Sequence, residues 1–346
     1  MITDFIEILV KIAVALGALL GVVAYMTLAE RKVSAFIQNR YGPNRVGPWG
    51  LLQPVADGLK FLFKEDIVPP HVNRVIYLLA PAAILTPALM TFAVVPFGDT
   101  LPLFGRDIRL QIADLNIGIL YILALTSLGV YGIALGGWAS NNKYSLLGGL
   151  RAASQMISYE LAMGLSIIGV LMITGSLRLN EVVAGQQQML WGVVPRWNVL
   201  TQPLGCLLFM VAAFAETNRA PFDLPECEQE LVAGYHAEYS SMKFAMFFMA
   251  EYANMVTSSA VIVTLFFGGW HLPWLIPENA TSLGYSLLKI GVFAAKTGFF
   301  LFVYLWVRWT LPRFRYDQLM RLGWKVFLPL SLANIVVTGA ALAFRG

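Results

Sequence analysis

The sequence predicts an all-α polytopic membrane protein with about eight transmembrane helices and an amphipathic helix lying at the cytoplasmic interface. Three observations carry that fold. Of 346 residues, 58% are hydrophobic and only 13% are charged. Mean hydropathy is +0.68, far above that of a soluble domain. Apolar runs near the length that crosses a bilayer recur from one end of the chain to the other. Repeated spans of this kind build one bundle, so residues 1–346 are taken as a single integral membrane domain.

The spans fall at roughly 6–28, 75–97, 115–138, 155–174, 199–215, 243–268, 283–307 and 325–344. The first apolar run is long, follows Asp4 and Glu7 and lacks a basic leader, so a retained span is expected rather than a cleaved signal peptide. Glu7 and Lys11 stand one helical turn apart and suit an ion pair near the outer interface. Pro81 and Pro87 predict kinks in the second span. Asp114 opens the third, where helix capping accounts for it. In the seventh, snorkelling accounts for Lys289. Lys296 lies deeper and is expected to face the bundle interior, as an intramembrane charge does.

Loop basicity orients the bundle. The connection over 29–74 carries seven cations: Arg31, Lys32, Arg40, Arg45, Lys60, Lys64 and Arg74. Lys143 and Arg151, then Arg219 and Lys243, then Arg308, Arg313, Arg315, Arg321 and Lys325 fall on the same side. The opposite side holds only Arg106, Arg109, Arg178, Arg196 and Arg345. Excess Lys and Arg mark the cytoplasmic face, so both termini are expected on the outer side of a bacterial inner membrane, or less readily its mitochondrial equivalent.

The first cytoplasmic connection is built in two parts. Gly-Pro pairs in Arg40-Tyr-Gly-Pro-Asn-Arg-Val-Gly-Pro48 force turns. From Trp49 to Lys64, Asp57, Lys60 and Lys64 share one helical face while Leu52, Val55, Leu59, Leu62 and Phe63 populate the other. That is an interfacial helix, too short and too charged to span. It reads either as a plain anchor or as a wall beside an opening to the lipid.

Acidic residues concentrate at one place. The sixteen residues Ala215-Glu-Thr-Asn-Arg-Ala-Pro-Phe-Asp-Leu-Pro-Glu-Cys-Glu-Gln-Glu230 hold five of the chain's 20 carboxylates: Glu216, Asp223, Glu226, Glu228 and Glu230. Glu238 follows closely within the connection 215–242. Pro225 suits the first turn of a helix, which would put Glu226 and Glu230 on one face in mutual repulsion. By pattern alone the stretch is either a solvated acidic loop or a cluster that must meet a cation or a proton. Glu160 in the fourth span and Glu251 in the sixth are lone intramembrane carboxylates. Each is a functional group by default, with a hydrogen-bonded structural acid as the other reading.

Several chemistries are excluded. Two cysteines, Cys206 and Cys227, cannot supply the four thiolates of an iron–sulfur cluster. They lie in an apolar span and in the acidic connection, which disfavours a disulfide. His71, His236 and His271 lack metal-ligand spacing. The net charge of +4 follows from topology and does not point to nucleic acid.

The segments Glu30-Arg-Lys-Val, Gln38-Asn-Arg-Tyr-Gly-Pro-Asn-Arg-Val-Gly-Pro48, Gly50-Leu-Leu-Gln-Pro-Val-Ala-Asp-Gly-Leu-Lys60 and Ala215 to Glu226 resemble the H-type membrane subunit of respiratory complex I, also called subunit 1. Both long motifs stand in the expected order. The resemblance covers essentially the whole chain and is weakest in the outer connections 98–113 and 175–198. It implies a component of the proton-pumping NADH:quinone oxidoreductase under the peripheral arm, with cytoplasmic connections that form much of the quinone cavity. Quinone, expected to be ubiquinone, is then the substrate. Flavin and iron–sulfur clusters belong to partner subunits, and no metal is expected on this chain. The partners implied are the iron–sulfur and quinone-site subunits of the arm and the adjacent small membrane subunits. By resemblance, Arg31, Gln38, Arg40, Asp57, Lys60, Phe222 and Asp223 border the quinone passage. Glu160, Glu216, Glu226, Glu228, Glu230 and Glu251 are coupling carboxylates. Arg219, one turn from Glu216, is expected to hold it ionised in one state.

Three rival functions stay open on sequence. A stand-alone ion-coupled transporter should show internal repeats, and none is evident. The membrane anchor of a related hydrogenase would not need a quinone passage. A scaffold for the arm would use the same surfaces without coupling.

Overall fold

The structure, a computed structural model, describes residues 2–103, 106–190, 192, 194–225, 231–277 and 282–344. Helix α1 covers Ile2–Ile37. After it come α2, Gln53–Phe63, and α3, Arg74–Thr91. Helices α4, Gly118–Ala139, and α5, Lys143–Thr174, follow. A short α6, Leu179–Gly185, and a single turn α7, Asn198–Thr201, precede α8, Pro203–Glu216. The chain ends with α9, Ser241–Phe266, α10, Leu283–Thr310, α11, Tyr316–Leu322, and α12, Leu328–Ala343. A π-helical segment, Gly323–Phe327, joins the last two. Among the described residues, seven helices are long and apolar enough to cross a membrane, and α8 is a shorter apolar one.

The eight apolar stretches are therefore present, with altered edges. Helix α1 has 36 residues, about 54 Å at the helical rise against a hydrocarbon core of roughly 30 Å. It continues through Glu30, Arg31 and Lys32 as helix rather than loop. Nothing breaks it before Asn39, at φ 56. Helix α8 is the opposite case. Its 14 residues span only about 21 Å, and most of them are buried against protein. Its inner end, Glu216, therefore lies among the other helices. Helix α3 runs continuously through Pro81 and Pro87. Two hairpins outside the sequence expectation fold the connections after α3 and α6: β1, Thr100–Leu103, pairs antiparallel with β2, Arg106–Arg109, and β3, Met189–Leu190, with β4, Val194–Pro195.

Helix α9 is the axis of the bundle. Of its most apolar 18-residue window 72% is buried, against 17% in α1. It packs on α1, α3, α8 and α10, while α5 packs on α4, α8 and α12. Small residues allow the closest approaches. A Cβ on Gly132 of α4 would stand 2.7 Å from the backbone N of Ile84 in α3. One on Gly148 of α5 would stand 2.8 Å from Cα of Gly234.

Two expectations near helix ends change. Lys289 does not snorkel: it is 4% exposed and donates to Asp99 Oδ2 at 3.0 Å, tying α10 to the β1 hairpin. Asp114 does not cap α4, whose N-cap is Ile117; it accepts from Arg109 at 3.2 Å. Lys296 does face inward. Its ammonium donates to the carbonyls of Phe267, Gly269 and His271 at 2.7, 3.0 and 2.8 Å. It thereby caps the C-terminal end of α9, where a cation is favoured. Glu7 and Lys11 pair at 2.7 Å.

Candidate functional site

The acidic connection is not a solvated loop along its described length. Glu216, Thr217, Asn218 and Arg219 are all buried, as are Phe222, Leu224, Tyr235 and His236. Glu226, Glu228 and Glu230, with the helix expected from Pro225, lie outside the described residues.

Burial places Arg219 in a chain of alternating charges. Its Nη2 stands 3.6 Å from Glu251 Oε2, and its Nη1 4.0 Å from Glu30 Oε2. Glu30 also pairs with Arg308 of α10. The chain Arg308, Glu30, Arg219, Glu251 thus joins α10, α1, the acidic connection and α9. Two tyrosines hold it. The Tyr252 hydroxyl donates to Glu30 at 2.6 Å, and its ring lies under the Arg219 guanidinium at 4.3 Å. The Tyr235 hydroxyl donates to Glu251 Oε1 at 2.9 Å. Buried charges persist only beside opposite charge, and each member of this chain has an opposite charge within 4.0 Å. Helical spacing would set Arg219 on Glu216. The helix ends at Glu216 and Asn218 takes φ 50, so Arg219 leaves the helical path and reaches Glu30 and Glu251.

A clamp keeps the connection folded in. Arg313 Nη2 meets Asp223 Oδ2 at 2.7 Å, and the backbone N of Phe314 donates to Pro221 O at 3.1 Å. The Phe222 ring stacks on Phe314 at 5.4 Å and tilts against Tyr159 at 5.8 Å. Gln155 of α5 donates to the carbonyls of Ala215 and Phe222 at 2.7 and 2.8 Å. At its far end, Asn142 donates to Glu238 at 2.8 Å and Tyr77 stacks on Tyr239 at 4.2 Å. Burial, and then Tyr77, push the Tyr239 phenol well above its usual range, so it stays neutral.

Glu216 and Glu160 form a second site. Glu216 lines a cavity among α4, α5, α8 and α9 with Thr126, Thr217, Asn254, Thr257 and Ser258 on its polar side. The free volume of ≈ 30 Å³ admits about two waters. Glu160 approaches from α5 and accepts from Ser127, the residue after Thr126. The two carboxylates thus flank one pair of α4 hydroxyls.

The first connection forms a third, more exposed cluster. Asp57 of α2 pairs with Arg31 at 2.7 Å and accepts from Gln53 at 3.1 Å. Gln38 accepts from Arg40 at 2.7 Å. Arg40 also lines a recess with Lys32, Phe36, Tyr41 and Trp49. Lys60 and Lys64 are exposed. The apolar face of α2 is exposed too: Val55, Leu59, Leu62 and Phe63 are 54, 48, 62 and 86% accessible. A helix with both faces open at one edge of a bundle is suited to an interface between lipid and water.

The structure thus brings Arg219 and Glu251 together, Glu160 and Glu216 together, and Arg31 with Asp57. It does not bring Lys60 to any of these groups. Four members of the site are not singled out by sequence reasoning: Glu30, Arg308, Arg313 and Tyr252. In the sequence Glu30 is one letter of a longer motif, and Arg308 and Arg313 read as topology signals. A carboxylate directly after a long apolar run is the available signal for Glu30. Among the described residues, no group of three or more His, Cys, Asp or Glu side chains gathers as a metal site.

Comparison with known proteins points one way. The family model described as NADH dehydrogenase matches residues 10–339. The chain is 53% identical over 323 residues to an H-type subunit of the NADH-quinone oxidoreductase of Cytophaga hutchinsonii, covering 93% of each chain. It is 54% identical over 340 residues to the corresponding H-type subunit of Flavobacterium johnsoniae, covering 97% of this chain and 95% of that one. Against the H-type subunit of Thermomicrobium roseum identity is 55% over 331 residues, covering 94% and 93%.

Proposed function

The chain belongs to the NADH dehydrogenase family, as a multi-pass H-type membrane subunit of NADH-quinone oxidoreductase, and on that premise we propose that it forms much of the quinone cavity and couples quinone reduction to proton translocation. The other subunits of that complex are its partners. Those it meets at this site are the iron–sulfur and quinone-site subunits of the peripheral arm, with small membrane subunits beside it. The membrane is the bacterial inner membrane, with both termini on the outer side and the acidic connection on the cytoplasmic side.

The observation that carries this reading is the charge chain from partly exposed Arg308 through Glu30 to buried Arg219 and Glu251. Reduction of a quinone takes up two electrons, delivered from a partner, and two protons. Charge therefore changes at the headgroup in steps. Two charges about 4 Å apart interact by roughly 4 kcal/mol at an effective dielectric near 20, and one pKa unit is about 1.4 kcal/mol. A step of that kind beside an arginine–carboxylate chain is large enough to change which partner each charge holds. The inner members of the chain each have a second partner to turn to: Arg219 has two carboxylates, and Glu30 has two arginines and a phenol. Glu216 and Glu160 then take up or release a proton within the bundle, as intramembrane acids do in relays. Arg31, Gln38, Arg40, Asp57 and Lys60 border the passage by which quinone arrives from the lipid, and Phe222 and Asp223 border its inner end.

The test is the intact complex in proteoliposomes, carrying Glu216→Gln or Glu251→Gln. Each is expected to assemble and to lose most quinone-dependent turnover together with proton pumping. Normal turnover and pumping in both variants would leave the chain a scaffold for the arm.

A further inference from the structure

We propose that Tyr304 is a positioning residue for Glu216, acting through Ser258 and through water held in the cavity between them, and that it ties this carboxylate to the Arg308 end of the charge chain. The inference rests on the coupling role assigned to Glu216 above. Tyr304 is 2% exposed, and its phenol oxygen lies 2.9 Å from Oγ of Ser258. Ser258 in turn lines the Glu216 cavity beside Asn254 and Thr257.

The cavity has its own need for water. The Thr257 hydroxyl is buried there with no hydrogen-bond partner among the described residues. Most buried hydroxyls have a partner, and the free volume at this wall is enough for water. Water at Thr257 is within the same small polar space as Glu216, Asn254 and Ser258. The phenol of Tyr304 therefore sits one hydroxyl behind the solvent of the carboxylate.

Two further contacts give the arrangement direction. The Tyr304 ring packs on Phe214 with centroids 4.0 Å apart, two residues before Glu216 on α8. Arg308 stands one helical turn beyond Tyr304 on the same face of α10, where it pairs with Glu30. On the facing helix α9, Glu251 and Ser258 are two turns apart and repeat the pattern: a member of the charge chain below, a member of the cavity wall above. A turn of α10 that follows re-pairing at Arg308 moves the phenol relative to Ser258 and changes what solvates Glu216. The hydroxyl, rather than the ring, is the part that does this.

The experiment uses the whole complex in proteoliposomes. Tyr304→Phe keeps the ring on Phe214 and removes only the hydroxyl. Quinone-dependent turnover is expected to fall about three- to tenfold, the worth of one net hydrogen bond, with the apparent quinone KM unchanged. Ser258→Ala should give the same loss, and the double variant should lose no more than either single one. In a Glu216→Gln background, Tyr304→Phe should cost nothing further, since residues acting as a unit are not additive. Full turnover in Tyr304→Phe, or a loss that multiplies with that of Glu216→Gln, overturns the proposal. If Tyr304→Phe fails to assemble, Ser258→Ala in the same cycle with Glu216→Gln decides it by the same criteria. Glu216→Gln alone separates the two ideas. A silent Glu216→Gln ends the coupling role of that carboxylate, and this inference with it, whereas a defective Glu216→Gln beside a silent Tyr304→Phe ends only this inference.

Discussion

Arg219 and Glu251 face each other at 3.6 Å, both buried, one from the acidic connection and the other from about 15 Å along helix α9. The pair holds an acidic segment against the membrane bundle. Removing one member leaves a buried charge with a partner missing, at about 3–5 kcal/mol. Arg219→Met is therefore expected to lower the yield of assembled complex, and Glu251→Gln less so, because a neutral amide still accepts from Tyr235. The double variant Arg219→Met with Glu251→Gln should recover assembly without recovering quinone turnover. Yield on native gels and turnover of the purified complex measure the two effects separately.

The pair between Arg31 and Asp57 sets α2 against the end of α1. Both side chains are partly exposed, so its stability contribution is at most about 1 kcal/mol. If α2 borders the quinone passage, Asp57→Leu should raise the apparent quinone KM severalfold and leave assembly intact. Steady-state titration with a short-chain quinone reads this. Loss of assembly at unchanged KM would make α2 a plain anchor.

Asp223 and Arg313 clamp the acidic connection to the one that follows α10, at 2.7 Å. Asp223→Ala should release the acidic connection more than it destabilises the bundle, because the pair sits at the rim. Limited proteolysis should then cut within 215–242 several times faster than in the parent complex. Exchanging the charges, with Asp223→Arg and Arg313→Asp together, should restore most of the protection.

Gly148 of α5 has no room for a methyl group, since its Cβ would lie 2.8 Å from both Cα of Gly234 and the backbone N of Tyr235. Both contacts are backbone and cannot swing aside. Gly148→Ala should cost about 1–3 kcal/mol in overpacking and displace Tyr235 from Glu251. A lowered midpoint of thermal inactivation, with turnover lost before the complex dissociates, is the expected signature.

Spans and the amphipathic helix are legible in the sequence because each depends on local composition: apolar length and helical periodicity. Glu216 and Glu251 are legible for the same reason, as carboxylates inside or beside apolar runs. The pairing of Glu30 with Arg308 is not, because the two are separated by more than half the chain and look like ordinary interfacial charges at helix ends. Lys289 misleads for a related reason. Snorkelling is the sound expectation for an isolated cation near an interface, and Asp99 from a distant hairpin replaces the water it would have sought.

What the sequence by itself determined is a helical bundle in a membrane, its family and the identity of the carboxylates that lipid would penalise. Only the tertiary structure decided which charges neutralise which. In a low-dielectric interior a charge is stable only beside an opposite charge or aimed dipoles, and the choice of partner depends on where α8 ends and on how far α1 extends. Local pattern does not encode those distances; packing around α9 does.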